Sequence, residues 1–305
     1  MKTSPENRLA EFSTDLSDLV DRCAASVVAI RVGAARSISG VVWRQGCVVT
    51  AAEALDDEPG SLRITSGTAT DREAKLLGRD PTTDIALLAA AGLPETPLPT
   101  ADTDSLRPGE LALALGRSPE HGPIAAFGSV AVAGVPWHSQ LGGRIERFVR
   151  VNASLTRPAE GGAVLDMRGR LIGMAVAGPR RTLLVIPSAT IGRVAEQLLA
   201  KGRVTRGYLG IAMQPVRLPE TLQKAASAEV GLLVSGVDPR SGAAQGGVLL
   251  GDVIVSWNGE PVRDYRQVQR TLGPESVGSA VVLGALRGGA PIELRLSVGE
   301  RPAVE

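Results

Sequence analysis

Aromatic residues are scarce in this chain. Phe, Trp and Tyr make up 3% of its 305 residues, too few for a surface that stacks bases along a nucleic-acid strand. Charge of one sign is not in excess either: 33 Lys and Arg stand against 32 Asp and Glu, a formal net charge of +1. Neither nucleic acid nor an anionic membrane is therefore expected as the main partner. No apolar run approaches the ~18 residues of a membrane span, and no membrane span is predicted. The first twenty residues, MKTSPENRLAEFSTDLSDLV, hold no apolar stretch of the secretory kind, so the expected location is the cytoplasm. Cysteine occurs twice, at Cys23 and Cys47, with no Cys-x-x-Cys spacing. Neither a metal nor another cofactor is predicted; the two read as small buried hydrophobes, with a disulfide between them left open. Histidine is as rare, and His121 and His138 both read as loop residues rather than catalytic bases.

What is present is apolar and β-forming. Hydrophobic residues reach 44% against 21% charged, enough to bury a sizeable core in two domains or one large one. Residues 1 to about 16 read as a loose polar arm, and SDLVDRCAA as a short helix capped by Ser17. From residue 26 the segments SVVAIRV, GVVWR, CVVTAA, DIALLAA, LALALG, RFVRVNA, LIGMAVAG and TLLVIPS are short and rich in Val, Ile and Leu. Punctuated by Gly, Pro, Asp and Ser, they predict an all-β sandwich or barrel. The stretch SATIGRVAEQLLAKG breaks that pattern: Ile191, Val194 and Leu198 fall on one helical face, with Ser188 as the expected cap and Gly202 as the stop. A second unit follows. Its strands surround WNGEPV, where Asn258-Gly259 signals a tight hairpin, and DYRQVQRTL reads as its helix.

Six motifs in order carry a family resemblance: VVTAAE, DPTTDIALL, PAEGGAVLDMRGRLIGMAV, VIPS, a helix, and GYLGI. Together they resemble the HtrA/DegP-type serine proteases over residues 25 to 299. The implied fold is mainly β, a trypsin-like double six-stranded β-barrel followed by a PDZ domain. The implied organisation is an N-terminal arm at 1–20, a trypsin-like domain at 21–202, a linker at 203–206 and a PDZ domain at 207–300.

The motifs depart from the family where the chemistry lies. Glu53 stands where the family's histidine ends a Thr-x-x-His segment. Asp84 stands at the family's aspartate, intact. Glu160 stands where the nucleophilic serine would be, before the twin glycines Gly161 and Gly162. Pro158 takes the place of a glycine whose N–H would help hold the oxyanion, and proline has no N–H. Acyl transfer on this template needs a nucleophile, a base, a carboxylate orienting the base, and oxyanion donors. Three of the four are replaced, so the expectation is a pseudoprotease. Two alternatives remain: an active serine endopeptidase as in the family, or a new carboxylate site of Glu53, Asp84 and Glu160. In one cleft those three would raise one another's pKa. Counted as one ligand each, three carboxylates fall short of the six to eight oxygen ligands that calcium takes.

The second unit keeps its family's binding features. Tyr208, Leu209, Gly210 and Ile211 resemble a carboxylate-binding loop, in which consecutive backbone N–H groups converge on a peptide terminus. The peptide's last side chain would enter a pocket of Leu209, Ile211, Val268 and Leu272. The implied partners are peptide or protein C-termini, unfolded proteins and an active HtrA-type relative. A homo-oligomer, a trimer in this family, is expected, with Phe12 as the arm's lone aromatic.

Overall fold

The computed structural model describes residues 5–33, 36–56, 60–67, 71–93, 97–154, 156–179 and 182–302. Contacts divide the chain into one unit ending at Val204 and another beginning at Thr205.

The first unit opens with helix α1 (Pro5–Ala24). The loose arm expected up to residue 16 is therefore helical from Pro5 onward, and Ser17 lies inside the helix rather than capping it. The physical reason is a stripe the polar composition hides. Leu9, Phe12, Leu16, Leu19 and Cys23 recur at three- and four-residue spacing, one face of a helix. Its C-terminal half packs Leu16, Leu19, Val20 and Cys23 against Leu113, Leu115, Leu165 and Leu171. Proline at the start is compatible, since a first-turn N–H has no helical partner.

Six antiparallel strands then close a barrel: β1 (Val27–Val32), β2 (Arg36–Arg44), β3 (Cys47–Thr50), β4 (Leu62–Thr65), β5 (Arg72–Asp80) and β6 (Ile85–Ala89). Their inward residues, among them Val28, Ile30, Val48, Ile64, Ile85 and Leu87, are inaccessible to solvent. A second barrel combines β7 (Leu111–Ser118), β8 (Gly122–Ala133), β11 (Val149–Asn152), β12 (Ala163–Asp166), β13 (Leu171–Ala177) and β14 (Leu183–Pro187). Between β8 and β11 a short hairpin of β9 (Trp137–His138) and β10 (Arg144–Ile145) stands off the barrel. Closure leaves neither barrel a long unpaired edge. The mainly β, double six-stranded arrangement predicted from the motifs is the one observed.

Helix α2 (Ser188–Lys201) buries Ile191, Val194, Ala195 and Leu198 on the core of the first barrel. Its predicted cap needs correction: Pro187 occupies the N-cap and Ser188 is the first helical residue. Gly202 ends the helix in a left-handed conformation at φ 69°, as a C-terminal glycine does.

The second unit runs β15 (Gly207–Tyr208), β16 (Ile211–Arg217), α3 (Glu220–Ala226), β17 (Val230–Val237), α4 (Gly242–Gln245), β18 (Val253–Trp257), β19 (Glu260–Pro261), α5 (Tyr265–Thr271), β20 (Ala280–Arg287), β21 (Ala290–Ser297) and β22 (Gly299–Glu300). Its main sheet is ordered β16-β17-β18-β20-β21, with β16 at one edge. Asn258 and Gly259 join β18 to β19 at φ 50° and 83°, the pair of positive values a two-residue hairpin turn requires. Asp264 caps α5 by accepting the Gln267 N–H at 2.8 Å. Asp252 and Arg287 form a bidentate pair, both bonds 2.8 Å. Burial alone would raise the Asp252 carboxyl, but Arg287 and the Leu249 N–H hold it below the usual carboxylate range.

Candidate functional site

Asp84 sits just before β6 with φ 57°, a left-handed conformation that aspartate tolerates better than most side chains. The turn leading to it is fixed by Asp80, a buried carboxylate that accepts the Thr82 N–H and the Thr82 and Thr83 hydroxyls. Across from it, β3 ends at Thr50 and the chain turns through Ala51 and Ala52 to Glu53, which is exposed. Asp84 Oδ1 accepts the Glu53 N–H at 2.7 Å, and the Ala52 N–H donates to the Asp84 carbonyl at 3.3 Å. The backbone thus satisfies the carboxylate that lacks a histidine. Burial pushes the Asp84 carboxyl up to about 7; the Glu53 N–H opposes this, while the negative charges of Glu53 and Glu160 add to it. Glu53, Asp84 and Glu160 are therefore brought within electrostatic reach. Among the described residues no group of three His, Cys, Asp or Glu side chains is placed to hold a metal ion.

The loop bearing Glu160 is a single 3₁₀ turn, Arg157–Ala159. Proline at position 158 suits the start of such a turn. Each N–H that follows is occupied. Ala159 donates to the Thr156 carbonyl at 2.9 Å, Glu160 to Arg157 at 3.1 Å, Gly161 to Ala175 at 2.8 Å and Gly162 to Ala159 at 3.1 Å. None is left to meet a developing oxyanion, and Pro158 has none to offer. Gly161 adopts φ 80°, and a Cβ there would run into the Ser39 carbonyl and the Thr50 hydroxyl. The twin glycines thus let the loop pass close over the first barrel. Ser39 clasps it from beneath: its N–H donates to the Glu160 carbonyl at 2.8 Å and its hydroxyl to the Pro158 carbonyl. The Thr50 hydroxyl in turn donates to the Ser39 carbonyl at 2.7 Å.

Beside Asp84 and Glu53 opens a cavity of about 770 Å³. The β9–β10 hairpin forms one wall and docks on the Asp84 turn, where the Ser139 hydroxyl donates to the Thr82 carbonyl. Gly143 passes so close to the Thr82 carbonyl that no side chain fits there. Trp137 meets Phe148 edge to face, ring centres 5.5 Å apart, and both line the cavity with Arg150, Val176, Leu184 and Ile186. Sequence reasoning passed over this wall. Its one signal was a tryptophan in a chain with so few aromatics.

Other sequence readings fare variously. Ser154, the nearest serine before the Glu160 loop, lies two residues beyond β11. His121 lies in the β7–β8 turn, its Nδ1 3.3 Å from the Ser118 hydroxyl, whereas His138, expected in a loop, is in β9. Cys23 is buried, Cys47 half-buried, and both are free thiols.

In the second unit, Gly207 donates to the Leu272 carbonyl at 3.1 Å and the Tyr208 hydroxyl to Asp238 at 3.2 Å. Gly210 has φ 73° and lies against Ser241. The Leu209 and Gly210 carbonyls accept from Ala243 and Asp238, but their own N–H groups have no acceptor among the described residues. Leu209, Ile211, Val268 and Leu272 share one apolar cluster. Leu209 and Val268 are closed into it, while Ile211 and Leu272 are half-buried.

Comparison with known proteins agrees with this architecture. Residues 38–174 match the trypsin-like peptidase domain and residues 207–298 the PDZ domain. The periplasmic pH-dependent serine endoprotease DegQ of Escherichia coli K12 is 34% identical over 247 residues, covering 78% of this chain and 53% of DegQ. The periplasmic serine endoprotease DegP of the same strain is 32% identical over 264 residues, covering 83% of this chain and 54% of DegP. The chain thus spans about half the length of the curated relatives it matches. The solved structure of the HtrA-type protease AlgW with decapeptide superposes with a TM-score of 0.71 at 24% identity, covering 94% of this chain and 99% of AlgW. With two closed barrels, a PDZ unit and these relatives, the chain belongs to the HtrA family of trypsin-like serine proteases.

Proposed function

We propose that this chain is a catalytically inactive HtrA homologue that binds peptide C-termini or unfolded segments through its PDZ unit, in a regulatory, scaffolding or chaperone-like role. The observation that carries the inactive reading is the loop at 157–162. Glutamate stands at the nucleophile's position, and every loop N–H that could meet an oxyanion is bonded within the protein. One lost oxyanion donor costs about 10²–10³ in rate. Loss of a nucleophile or base costs about 10⁴–10⁶, the losses not adding. A carboxylate attacking an amide would also have to form a mixed anhydride, and Glu53 has no hydroxyl to activate.

The binding half rests on the free N–H groups of Leu209 and Gly210 beside the edge strand β16. A terminal carboxylate would accept from them and from Ile211, and the peptide would extend the sheet as a further strand. Tyr208 holds the loop through Asp238, and Ile211 and Leu272 offer the half-buried apolar surface for the last side chain, with Leu209 and Val268 beneath them. A homo-oligomer, a trimer as in the family, and pairing with an active relative belong to the same reading. Phe12, edge to face with Phe127 at 5.5 Å and still exposed, supports the oligomer.

The test is incubation with an unfolded substrate such as casein for many hours, with and without a peptide ending in an apolar residue. Fragments matching those of a Glu160→Ala control leave the binding reading in place. Fragments that vanish in that control overturn it in favour of chemistry by Glu53, Asp84 and Glu160; the Asp84 carboxyl, raised to about 7, is the group favouring that second reading.

A further inference from the structure

Strand β16 is the edge of the second unit's sheet and, among the described residues, pairs with β17 alone. In an antiparallel ladder, residues that bond to the partner strand alternate with residues whose N–H and C=O point the other way. Two bonds fix that alternation here. Asp238 donates to the Gly210 carbonyl at 2.8 Å at one end of the pair, and Leu218 donates to the Glu229 carbonyl at 2.9 Å at the other. Followed along the register from both ends, with its shift between Ala212 and Met213, the ladder turns Ala212, Gln214 and Val216 toward β17. Ile211, Met213, Pro215 and Arg217 face the open edge. Proline at 215 therefore costs the sheet no bond, but a strand added outside would meet it.

A peptide whose carboxylate meets the N–H groups of Leu209, Gly210 and Ile211 runs antiparallel to β16. Its last residue lies opposite Ile211, the third from its end opposite Met213, and the fifth from its end opposite Pro215. Met213 can exchange both bonds of a ladder pair. Pro215 has no N–H, and its ring carbon Cδ fills the space that a facing carbonyl would need. The side chains divide at the same point. Ile211 and Met213 pack against the apolar cluster that holds Val268 and Leu272, whereas Pro215 and Arg217 are exposed. Proline and charge are the devices that blunt an edge strand. We propose that Pro215 sets the length of ligand the PDZ unit reads: the final three residues of a chain end, and not an extended unfolded segment laid along the edge. The inference rests on the peptide-binding reading of this unit. So short a ladder makes the free carboxylate obligatory, because few main-chain bonds remain to hold a ligand without one.

The test is calorimetric titration of the full-length protein with acetyl-Thr-Val-X, acetyl-Thr-Val-Thr-Val-X and acetyl-Thr-Val-Thr-Val-Thr-Val-X, where X is Leu, Val or Phe. The same peptides with C-terminal amides are the controls. The acids should bind and the amides should not, and within the tightest series the three lengths should agree within about twofold. Valine suits an edge strand, and Pro215→Val restores the N–H. In that variant the five-residue acid should gain about threefold to tenfold over the three-residue acid, the usual worth of one added hydrogen bond. Parent affinity that climbs with length overturns the role of Pro215 and leaves the PDZ reading standing, as does a Pro215→Val protein no more sensitive to length than its parent. Binding by none of the acids, or equally by the amides, overturns the PDZ reading itself and this inference with it.

Discussion

Asp84 accepts the backbone N–H of Glu53 at 2.7 Å, so a carboxylate without a histidine is held by the turn that would have carried one. The bond stabilises the ionised form, yet burial dominates and the carboxyl rises from 3.8 to about 7. An acid whose folded pKa is raised binds more protons folded than unfolded between those values, and stability falls as pH climbs through that window. Asp84→Asn keeps the oxygen that meets the Glu53 N–H and suits the left-handed backbone. It should match the parent protein near pH 4 and exceed it above pH 7 by on the order of 2 kcal/mol, after allowing for partial exposure. Thermal unfolding of both proteins from pH 4 to 8 checks this; a constant gap across the range would show that Asp84 does not titrate this way.

The second unit should show the opposite dependence. Asp252 is buried, and Arg287 together with the Leu249 N–H keeps its carboxyl below the ordinary range. Such a group stabilises the fold above its unfolded pKa and loses that contribution as pH falls. Arg287→Leu leaves the buried carboxylate without its partner and should destabilise the unit at pH 7, with the deficit shrinking in acid. Urea unfolding followed through Trp257, which packs in this unit's core, measures it. An unchanged midpoint at pH 7 would mean the pair is energetically idle.

Gly161 is the point of closest approach between the Glu160 loop and the first barrel. Gly161→Ala would meet the Ser39 carbonyl and the Thr50 hydroxyl at φ 80°, and neither strand can retreat without breaking its ladder. A loss of about 2–4 kcal/mol is expected, with hydrogen exchange speeding first at Ser39, whose N–H holds the Glu160 carbonyl. Parental stability in Gly161→Ala would place the loop away from Ser39.

Much of this was legible because it is local. Alternating Val, Ile and Leu marks strands, Asn258-Gly259 marks a turn through backbone conformations other residues resist, and Asp264 caps α5 from three residues away. Only the C-terminal part of helix α1 was read as helix, although the signal of the rest was local: Leu9 and Phe12 extend the stripe of Leu16, Leu19 and Cys23, but the charges between them suggested an arm. The site was legible as a set of residue types and not as geometry. That Glu160 replaces a nucleophile follows from its place before two glycines. That its N–H donates back to Arg157 depends on how the 3₁₀ turn folds over Ser39, which is 121 positions earlier in the numbering of residues 39 and 160. The aromatic wall of Trp137 and Phe148 was hidden for the same reason, since the hairpin that carries Trp137 docks on Thr82 from 57 positions away through Ser139.

Reversal is the sharpest check on the Glu160 loop. If the missing serine were the sole defect, Glu160→Ser would create a slow protease. The structure argues otherwise, because the donor at residue 160 is bonded to Arg157 and the one at 158 does not exist. Glu160→Ser alone should cleave casein no faster than Glu160→Ala. Adding Glu53→His supplies a base, and Asp84 stands ready to orient it. Adding Pro158→Gly restores an N–H and frees the turn to reverse, a gain of about 10²–10³ over the double variant by the usual worth of one oxyanion donor. Cleavage should therefore emerge only in the triple variant, measured as new fragments by mass spectrometry over many hours. Activity in the single variant would show that the loop already presents donors, and the reading of its turn as closed would fall.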